Sequence, residues 1–558
     1  MRYYKAVKET IEKLINTALK ELGMEARKFV VKHPTQIEFG DYSTNVGIIT
    51  GKSQEILKHL EVGLPSGIER VKEKAGFINF YLSKEFFAKS LEEIIKKGEN
   101  FGKNDRLKGK KVIIEYTDPN PFKEFHIGHL MSNAIGEAIS RVIENEGAEV
   151  KRFSYGGDVG LHVAKAIYGV QTQKEKIEEI KKVDEKKQLK FWTDSYVNGS
   201  TLYEENPEAK TEIDNLNKVI FDKSDSNVQE LYDWGREISI KHFQEFFSLL
   251  GTKFDRNFWE SEVVEDALKA IELGLQKNIL EKSEGAVIFK GENYNLHTRV
   301  FMNSKGVPTY EAKDLGLGVK KFKMFQFDRS IVITGNEQNE YFKVMLKVMD
   351  LLKPEVANKT THLGHGMLRL PTGKMGSRTG NVITAEFLIE EVKKVINARG
   401  QEATDDIAVG AIKYMILKQG IGNDIIFDFE KSVSTEGDSG PYLQYAYART
   451  NSLLEKANTK SQTLNTDSKS LTLRETHEVE RLLYRFPEIV ERAGQEYAPQ
   501  LITTYLIELS SAFNNFYAQE QVISDSPETP YRLAIVKAFN IIIKNGLSIL
   551  GIPTPERI

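Results

Sequence analysis

Residues 112–155 read VIIEYTDPNPFKEFHIGHLMSNAIGEAISRVIENEGAEVKRFSY, and this stretch decides the fold. It opens on a short apolar, β-rich run, VIIEY at 112–116, followed by a loop punctuated by Pro119 and Pro121. Leu130, Ala134, Ile135, Ala138, Ile139, Val142 and Ile143 then recur at helical spacing, so a helix with one apolar face is predicted. Gly147 closes it, and VKRFSY at 150–155 starts a second strand. Strand, loop, helix and strand in this order make a βαβ unit. Such a unit implies a parallel sheet, because parallel neighbours need a long crossover.

Upstream, residues 1–106 read as a small α/β domain. Val7, Ile11, Leu14, Ile15 and Ala18 line one face of an opening helix, and GFINFYLS at 76–83 alternates like a strand. Downstream, RSIVITG at 329–335 restores the parallel-sheet signal, with a helical pattern from 336 to 352. The sheet domain is thus expected over 107–385, with insertions near 170–230 and 262–305. The stretch 171–190 carries 12 charges in 20 residues, the mark of a solvated helical insertion. GENYNLH at 291–297, between two β-like runs, suggests a hairpin. A helical connection at 386–436 and an all-helical domain at 437–558 complete the chain.

With 558 residues the chain exceeds one compact core. Its composition, 40% hydrophobic and 28% charged, argues against large-scale disorder. Cysteine is absent, which excludes disulfide frameworks, thiolate zinc sites and cysteine nucleophiles. Charges interrupt the opening helix, so it does not read as a secretory signal, and a cytoplasmic location is expected. The net charge of −3 does not advertise nucleic acid.

Two constellations carry chemistry. His126-Ile127-Gly128-His129 opens a helix directly after a parallel strand, where free N–H groups and a partial positive charge suit phosphate. Gly128, without a Cβ, lets a flat ring lie against the backbone there. A pair of structural histidines, or a zinc site with His162, are the alternatives. The second constellation, Gly373-Lys374-Met375-Gly376-Ser377-Arg378-Thr379-Gly380, has the glycines, cations and hydroxyls of a loop that wraps an oligophosphate. Its spacing is not that of a Walker loop.

Taken together, HIGH at 126–129 and KMGSR at 374–378 resemble the two motifs of class I aminoacyl-tRNA synthetases. The strings EYTDPNPFKEFHIGHL (115–130), TYEAKDLGL (309–317), GNEQNEYF (335–342), GDSGPYLQYAYAR (437–449) and NGLSILGIPTPERI (545–558) resemble the arginyl-tRNA synthetase family in particular, as does GDYSTN at 40–45. Gly376 departs from the family's usual KMSTR, and Gly157-Asp158-Val159-Gly160 from its GDWG. The resemblance implies a Rossmann-like catalytic domain that activates arginine with ATP and passes it to tRNA, with Mg²⁺ carried by ATP and no zinc. It implies a monomer, an N-terminal domain touching the tRNA elbow and a helical C-terminal domain binding the anticodon.

Residue by residue, the resemblance makes His126, His129, Lys374 and Arg378 the catalytic set. Phe125, His126, Gly128, His129, Gly335, Met367, Lys374, Met375 and Ser377 fall to ATP. Asp314 and Tyr310 would hold the arginine side chain, and Glu115, Asn120, His126 and Gln338 its remaining polar groups, with Asn45 reaching over from the N-terminal domain. The chemistry agrees: a guanidinium demands planar, paired acceptors, and Glu115 and Asp314 supply carboxylates. Singly, a carboxylate at a strand end is more often paired with a nearby lysine, and Gln338 could cap a helix. For tRNA, residues 440–558 hold 12 Lys or Arg against 13 Asp or Glu, so base stacking carries more weight there than bulk charge. Tyr442, Tyr445 and Arg449 are the candidates, and packing within the helices competes for them. A lysine-specific class I enzyme, a small nucleotidyltransferase and a decayed tRNA-binding paralogue are the competing readings.

Overall fold

The structure is a computed structural model that describes residues 3–24, 28–371, 383–459 and 476–558. They form two compact units, each discontinuous in sequence. One comprises Met1–Asn104, Thr435–Ile549 and Pro553–Ile558, and the other Asp105–Ser434 with Leu550–Ile552.

In the second unit the predicted βαβ forms as strand β1 (Lys111–Glu115), helix α1 (Ile127–Asn145) and strand β2 (Glu149–Gly156). The apolar stripe of α1 is buried as expected, and so are Ser132, Asn133, Glu137 and Ser140 on its other faces. Helix α2 (Leu161–Gln171) leaves β2, and β3 (Arg256–Trp259) returns to the sheet. Further on come α3 (Tyr310–Phe325), β4 (Arg329–Gly335), α4 (Asn339–Leu352) and β5 (Thr360–His365). All five strands are parallel, in the order β5-β4-β1-β2-β3. The chain builds β1, β2 and β3 outward to one side, then crosses to place β4 on the other side of β1. The strand order therefore reverses between β1 and β4. In such sheets the carboxyl ends of the two strands at the reversal diverge and leave a crevice.

Two strands, β3 and β5, were not apparent in the sequence. They are the sheet's edges, and β5 buries only His365 fully, so neither shows a continuous apolar run. The first excursion also runs wider than the expected 170–230. Its longer helices span Leu161–Gln171, Glu185–Glu205, Pro207–Asp222 and Ser226–Leu249, around a core of their own that includes Val163, Trp192, Ile213 and Phe122. Within the charged stretch most residues are exposed, while Gln188 and Leu189 turn inward. In the second excursion, Ala286–Phe289 and Arg299–Met302 pair antiparallel across GENYNLH, and Glu281–Ser283 adds a third strand.

Lys413, buried on Asp405–Leu417, donates to the carbonyls of Leu250 (2.7 Å) and Gly551 (2.6 Å), which holds 550–552 in this unit. Burial lowers its pKa to about 7.

The other unit joins the expected N-terminal and C-terminal segments. A four-stranded antiparallel sheet (Val31–Lys32, Tyr42–Thr44, Phe77–Leu82, Ile68–Lys74) shares its core with Tyr484 from the C-terminal helices. Arg481 grips both carboxylate oxygens of buried Asp41 at 2.8 Å. The C-terminal helices Gly440–Thr459, Glu478–Leu483, Phe486–Glu496, Gln500–Gln519 and Thr529–Ile549 join the N-terminal helices Tyr3–Glu21, Val46–Thr50, Ser53–Leu60 and Lys84–Lys97 in this unit.

Candidate active site

A cavity of about 610 Å³ opens at the reversal between β1 and β4. Of the residues expected to act, Glu115, Asn120, His126, Gly128, His129, Tyr310, Asp314, Gly335, Gln338 and Met367 all line it. Lys374, Met375, Ser377 and Arg378 lie outside the described residues, as does Gly376. The segments on either side of them are tied to the site. Met367 lines the cavity, while Ile383 O accepts from Ile127 N–H (3.1 Å) and Ala385 N–H donates to Phe125 O (2.8 Å).

The histidine pair forms the cap of α1. His126 is the N-cap residue, and its Nδ1 accepts from Gly128 N–H (3.1 Å) and His129 N–H (3.4 Å). His129 Nδ1 accepts in return from His126 N–H (3.3 Å), and the rings stack with centroids 3.5 Å apart. This is a capping box built from two imidazoles. Burial lowers the pKa of His126 to about 4 and that of His129 well below its ordinary value. Both rings are therefore neutral near pH 7. Because each Nδ1 accepts, each ring carries its proton on Nε2. The first turn thus offers two neutral N–H donors of fixed tautomer. Gly128 has no Cβ for a local reason: one would meet the His126 ring at 3.0–3.1 Å.

The loop between β1 and α1 is strained. Thr117, Asp118 and Phe122 hold φ values of 78°, 47° and 67°, which bulky or β-branched residues rarely adopt. Side chains hold it there: Thr117 N–H donates to Ser132 Oγ (2.9 Å), and Asp118 Oδ1 accepts from Tyr155 N–H (2.8 Å). Asn120 Oδ1 accepts from Gly157 N–H at 2.7 Å.

On the opposite wall sits Asp314, one turn into α3. Its Oδ2 accepts from Tyr341 O–H at 2.5 Å. Burial raises its pKa to about 7 despite that bond, and the nearby carboxylates Glu115 and Glu260 push it the same way. Glu115 is paired with buried Lys321, whose Nζ lies 2.7 Å from Oε2. Glu115, Asp314 and Lys321 together line a small recess beside the main cavity. Glu260 pairs with buried Lys313. Tyr310 is half exposed, its ring 5.2 Å from that of Tyr341. Gln338 stands at the N-cap position of α4, but its side chain makes no cap bond.

Two expected site residues are not among those that line the cavity. The Phe125 ring has no exposed surface and does not line the cavity; it stacks on Phe246 (4.9 Å, 12°) and lies 5.2 Å from the His129 ring. An aromatic ring that packs a core in this way supports the histidine and cannot itself touch a nucleotide. Asn45 belongs to the other unit, where its Oδ1 accepts from Val30 N–H (2.9 Å). His162 Nε2 donates to Gly157 O (2.7 Å), and His126 and His129 turn their Nδ1 atoms to backbone N–H groups. Among the described residues no group of three His, Cys, Asp or Glu is placed to hold a metal ion.

Tyr341, Lys321, Glu260, Asp118 and His365 also line the cavity or its recess, beyond the residues that the sequence singles out. Lys321 carried a signal: it lies seven residues after Asp314, two turns along one helix face. In the helical segment, Tyr442 O–H accepts from Asn514 Nδ2 (2.7 Å) and Arg449 lies over the Tyr517 ring (4.2 Å). Tyr447 is buried and Tyr445 is exposed.

Three family models match the chain: the arginyl tRNA synthetase N terminal domain over residues 9–82, the class I (R) tRNA synthetase catalytic domain over 90–429, and the DALR anticodon binding domain over 443–558. The arginine–tRNA ligase of Halothermothrix orenii is 30% identical over a 572-residue alignment covering 99% of each chain. That of Treponema denticola is 32% identical over 530 residues, 90% of this chain and 88% of the other. Among solved structures, the arginyl-tRNA synthetase of Thermus thermophilus matches with a TM-score of 0.78 at 22% identity, covering 99% of this chain and all of that one.

Proposed function

Because the chain belongs to the arginyl-tRNA synthetase family, and so joins L-arginine to tRNA using ATP, we propose that both steps of the reaction run in the cavity between β1 and β4. In the first step a carboxylate oxygen of arginine bonds to the α-phosphorus of ATP. The bond from that phosphorus to the bridging oxygen breaks, and pyrophosphate leaves with the electron pair. In the second, a hydroxyl of the terminal ribose of tRNA adds to the arginyl carbonyl and loses its proton, and AMP departs. No protein nucleophile is needed, so alignment and charge stabilisation are the protein's contribution.

The observation that carries this reading is that one cavity brings the two sets of residues together. His126, Gly128 and His129, at a helix N-terminus, line one part of it, and Asp314 lines another, with Glu115 and Lys321 in the recess beside it. We assign the α- and β-phosphates to His126 and His129, with Gly128, Gly335 and Met367 along the nucleotide. Lys374, Met375, Ser377 and Arg378 would close over it. Asp314, oriented by Tyr341 and covered by Tyr310, takes the guanidinium. Glu115, which lines the recess with Asp314, fits that end better than the α-amino end, leaving Asn120 and Gln338 for the ammonium and carboxylate. Magnesium travels with the ATP phosphates in this reading, and no step is assigned to it.

We assign the tRNA elbow to residues 1–106, catalysis to 107–385, a helical connection to 386–436 and the anticodon to 437–558, with exposed Tyr445 the best-placed stacking residue and Tyr442 and Arg449 beside it. The working form in this reading is a cytoplasmic monomer. Among the described residues no helix is long and apolar enough to cross a membrane.

Arginine-dependent exchange of pyrophosphate into ATP, with and without tRNA, tests the proposal, with lysine and citrulline as controls. The expected result is exchange with arginine alone among the three, dependent on added tRNA. Equal exchange with lysine would overturn the carboxylate recess as the arginine end.

A further inference from the structure

The helix Ser226–Leu249 belongs to the excursion between β2 and β3, and no residue of it has been given a part in the reaction. Yet Gly235, Ser239, His242 and Phe246, spaced as one stripe of that helix, all meet the loop that leads into His126. The Phe122 ring lies over Gly235, where a Cβ would meet it at 2.7 Å. Phe122 N–H donates to Ser239 Oγ (2.8 Å), Phe125 N–H donates to His242 Nε2 (3.2 Å), and the Phe125 ring stacks on Phe246.

The peptide units just before the first catalytic histidine are therefore held from two sides, since the Phe125 carbonyl also accepts from Ala385 N–H. Ser239 and His242 are buried and do not line the cavity. Phe122 holds a φ of 67°, so the loop would relax if its N–H lost its acceptor. Buried N–H groups seldom go unpaired, so a lost acceptor would shift the backbone toward another partner.

We infer that Ser239 and His242 are positioning residues for adenylate formation: as fixed acceptors for Phe122 and Phe125 they set the height of His126 and His129 above the phosphates. The inference rests on the reading that those two histidines hold the phosphates. His242 must accept at Nε2 to do this, and burial keeps it in the neutral form, with a pKa lowered to about 4.

The test compares His242→Gln with His242→Leu, and Ser239→Ala as the smaller change. A glutamine carbonyl can take the place of Nε2 as acceptor; leucine fills the space without one. The readouts are kcat and KM for arginine and ATP in tRNA-supported pyrophosphate exchange, referred to folded protein, together with Tm. In the full-length enzyme, His242→Leu and Ser239→Ala should lower kcat about ten- to a hundredfold, with both KM values within about threefold, since small misplacements of reacting groups cost that much. His242→Gln should recover most of the rate at a Tm matching that of the leucine variant. Equal kcat in the leucine and glutamine variants would overturn the inference and leave only packing. Should His242→Leu not fold, Ser239→Ala against wild type decides, and an unchanged kcat there overturns it. Exchange by the unaltered enzyme stands apart from both outcomes, so failure of the inference is separable from failure of the functional reading.

Discussion

Tyr341 donates its hydroxyl to Asp314 at 2.5 Å, from one helix to another across the wall of the cavity. The bond stabilises the charged form of a carboxylate that burial would otherwise keep protonated. Tyr341→Phe removes that support, so the pKa of Asp314 should rise further. A hydrogen bond to a charged group is worth about 1.5–3 kcal/mol. The KM for arginine at pH 7 should therefore increase by roughly tenfold or more, with the KM for ATP little changed. Steady-state kinetics in both substrates would show it.

The same carboxylate predicts a pH dependence. Its pKa in the empty site is about 7, raised from its ordinary value, and a bound guanidinium would favour the charged form and lower it. Arginine affinity is thus fully present above pH 7 and is lost as the pH falls below it, by about tenfold per unit, because one proton must leave on binding. Isothermal titration in buffers of different ionisation enthalpy would count that proton. Asp314→Asn should remove the proton release and weaken arginine far more than ATP.

Lys321 neutralises Glu115 within the recess. Lys321→Met leaves a buried carboxylate without its partner, a change that typically costs about 3–5 kcal/mol. The variant should melt lower than the parent. If the guanidinium seats beside Glu115, arginine replaces the missing cation, so the rise in Tm on adding arginine should be larger in the variant than in the parent. An equal or smaller rise would remove Glu115 from the guanidinium end.

The helix cap that His126 forms and the donor role proposed for it can be separated. Asparagine is a good N-cap residue, so His126→Asn should keep the start of α1 and change stability by only a few tenths of a kcal/mol, whereas His126→Ala should cost about 1 kcal/mol. Both lose the Nε2 donor, and both should lower the exchange rate about 10²–10³-fold. A fully active asparagine variant would show that the cap, not the donor, is what the reaction needs.

The part of the molecule that could be read from sequence is the part where neighbours in sequence are neighbours in space. VIIEY and the stripe from Leu130 to Ile143 disclosed the βαβ unit, and the helix start between them is the end proposed for the phosphates. Edge strands RNFW and TTHLGH were silent because RNFW buries only Phe258 and Trp259 and TTHLGH buries only His365, so burial imposes no apolar run. The union of the N-terminal sheet with the C-terminal helices was equally silent. It depends on single residues such as Tyr484 and on the Asp41–Arg481 pair, 440 residues apart, and no periodicity announces such a contact. Strain at Thr117, Asp118 and Phe122 had no glycine to flag it. At the site, Glu115 has the lysine partner that strand-end carboxylates often have, and it also lines the cavity.

Neither compact unit is a single run of chain, and this bears on how the protein is made. A ribosome delivers residues in order, yet the N-terminal sheet cannot finish its core until Tyr484 has emerged, some four hundred residues after Phe80. The catalytic unit waits still longer, because buried Lys413 lacks its second carbonyl until Gly551 arrives. Early segments must therefore persist with unfilled cores during translation, and a ribosome that stalls within the helical region would release two incomplete units instead of one finished and one unfinished.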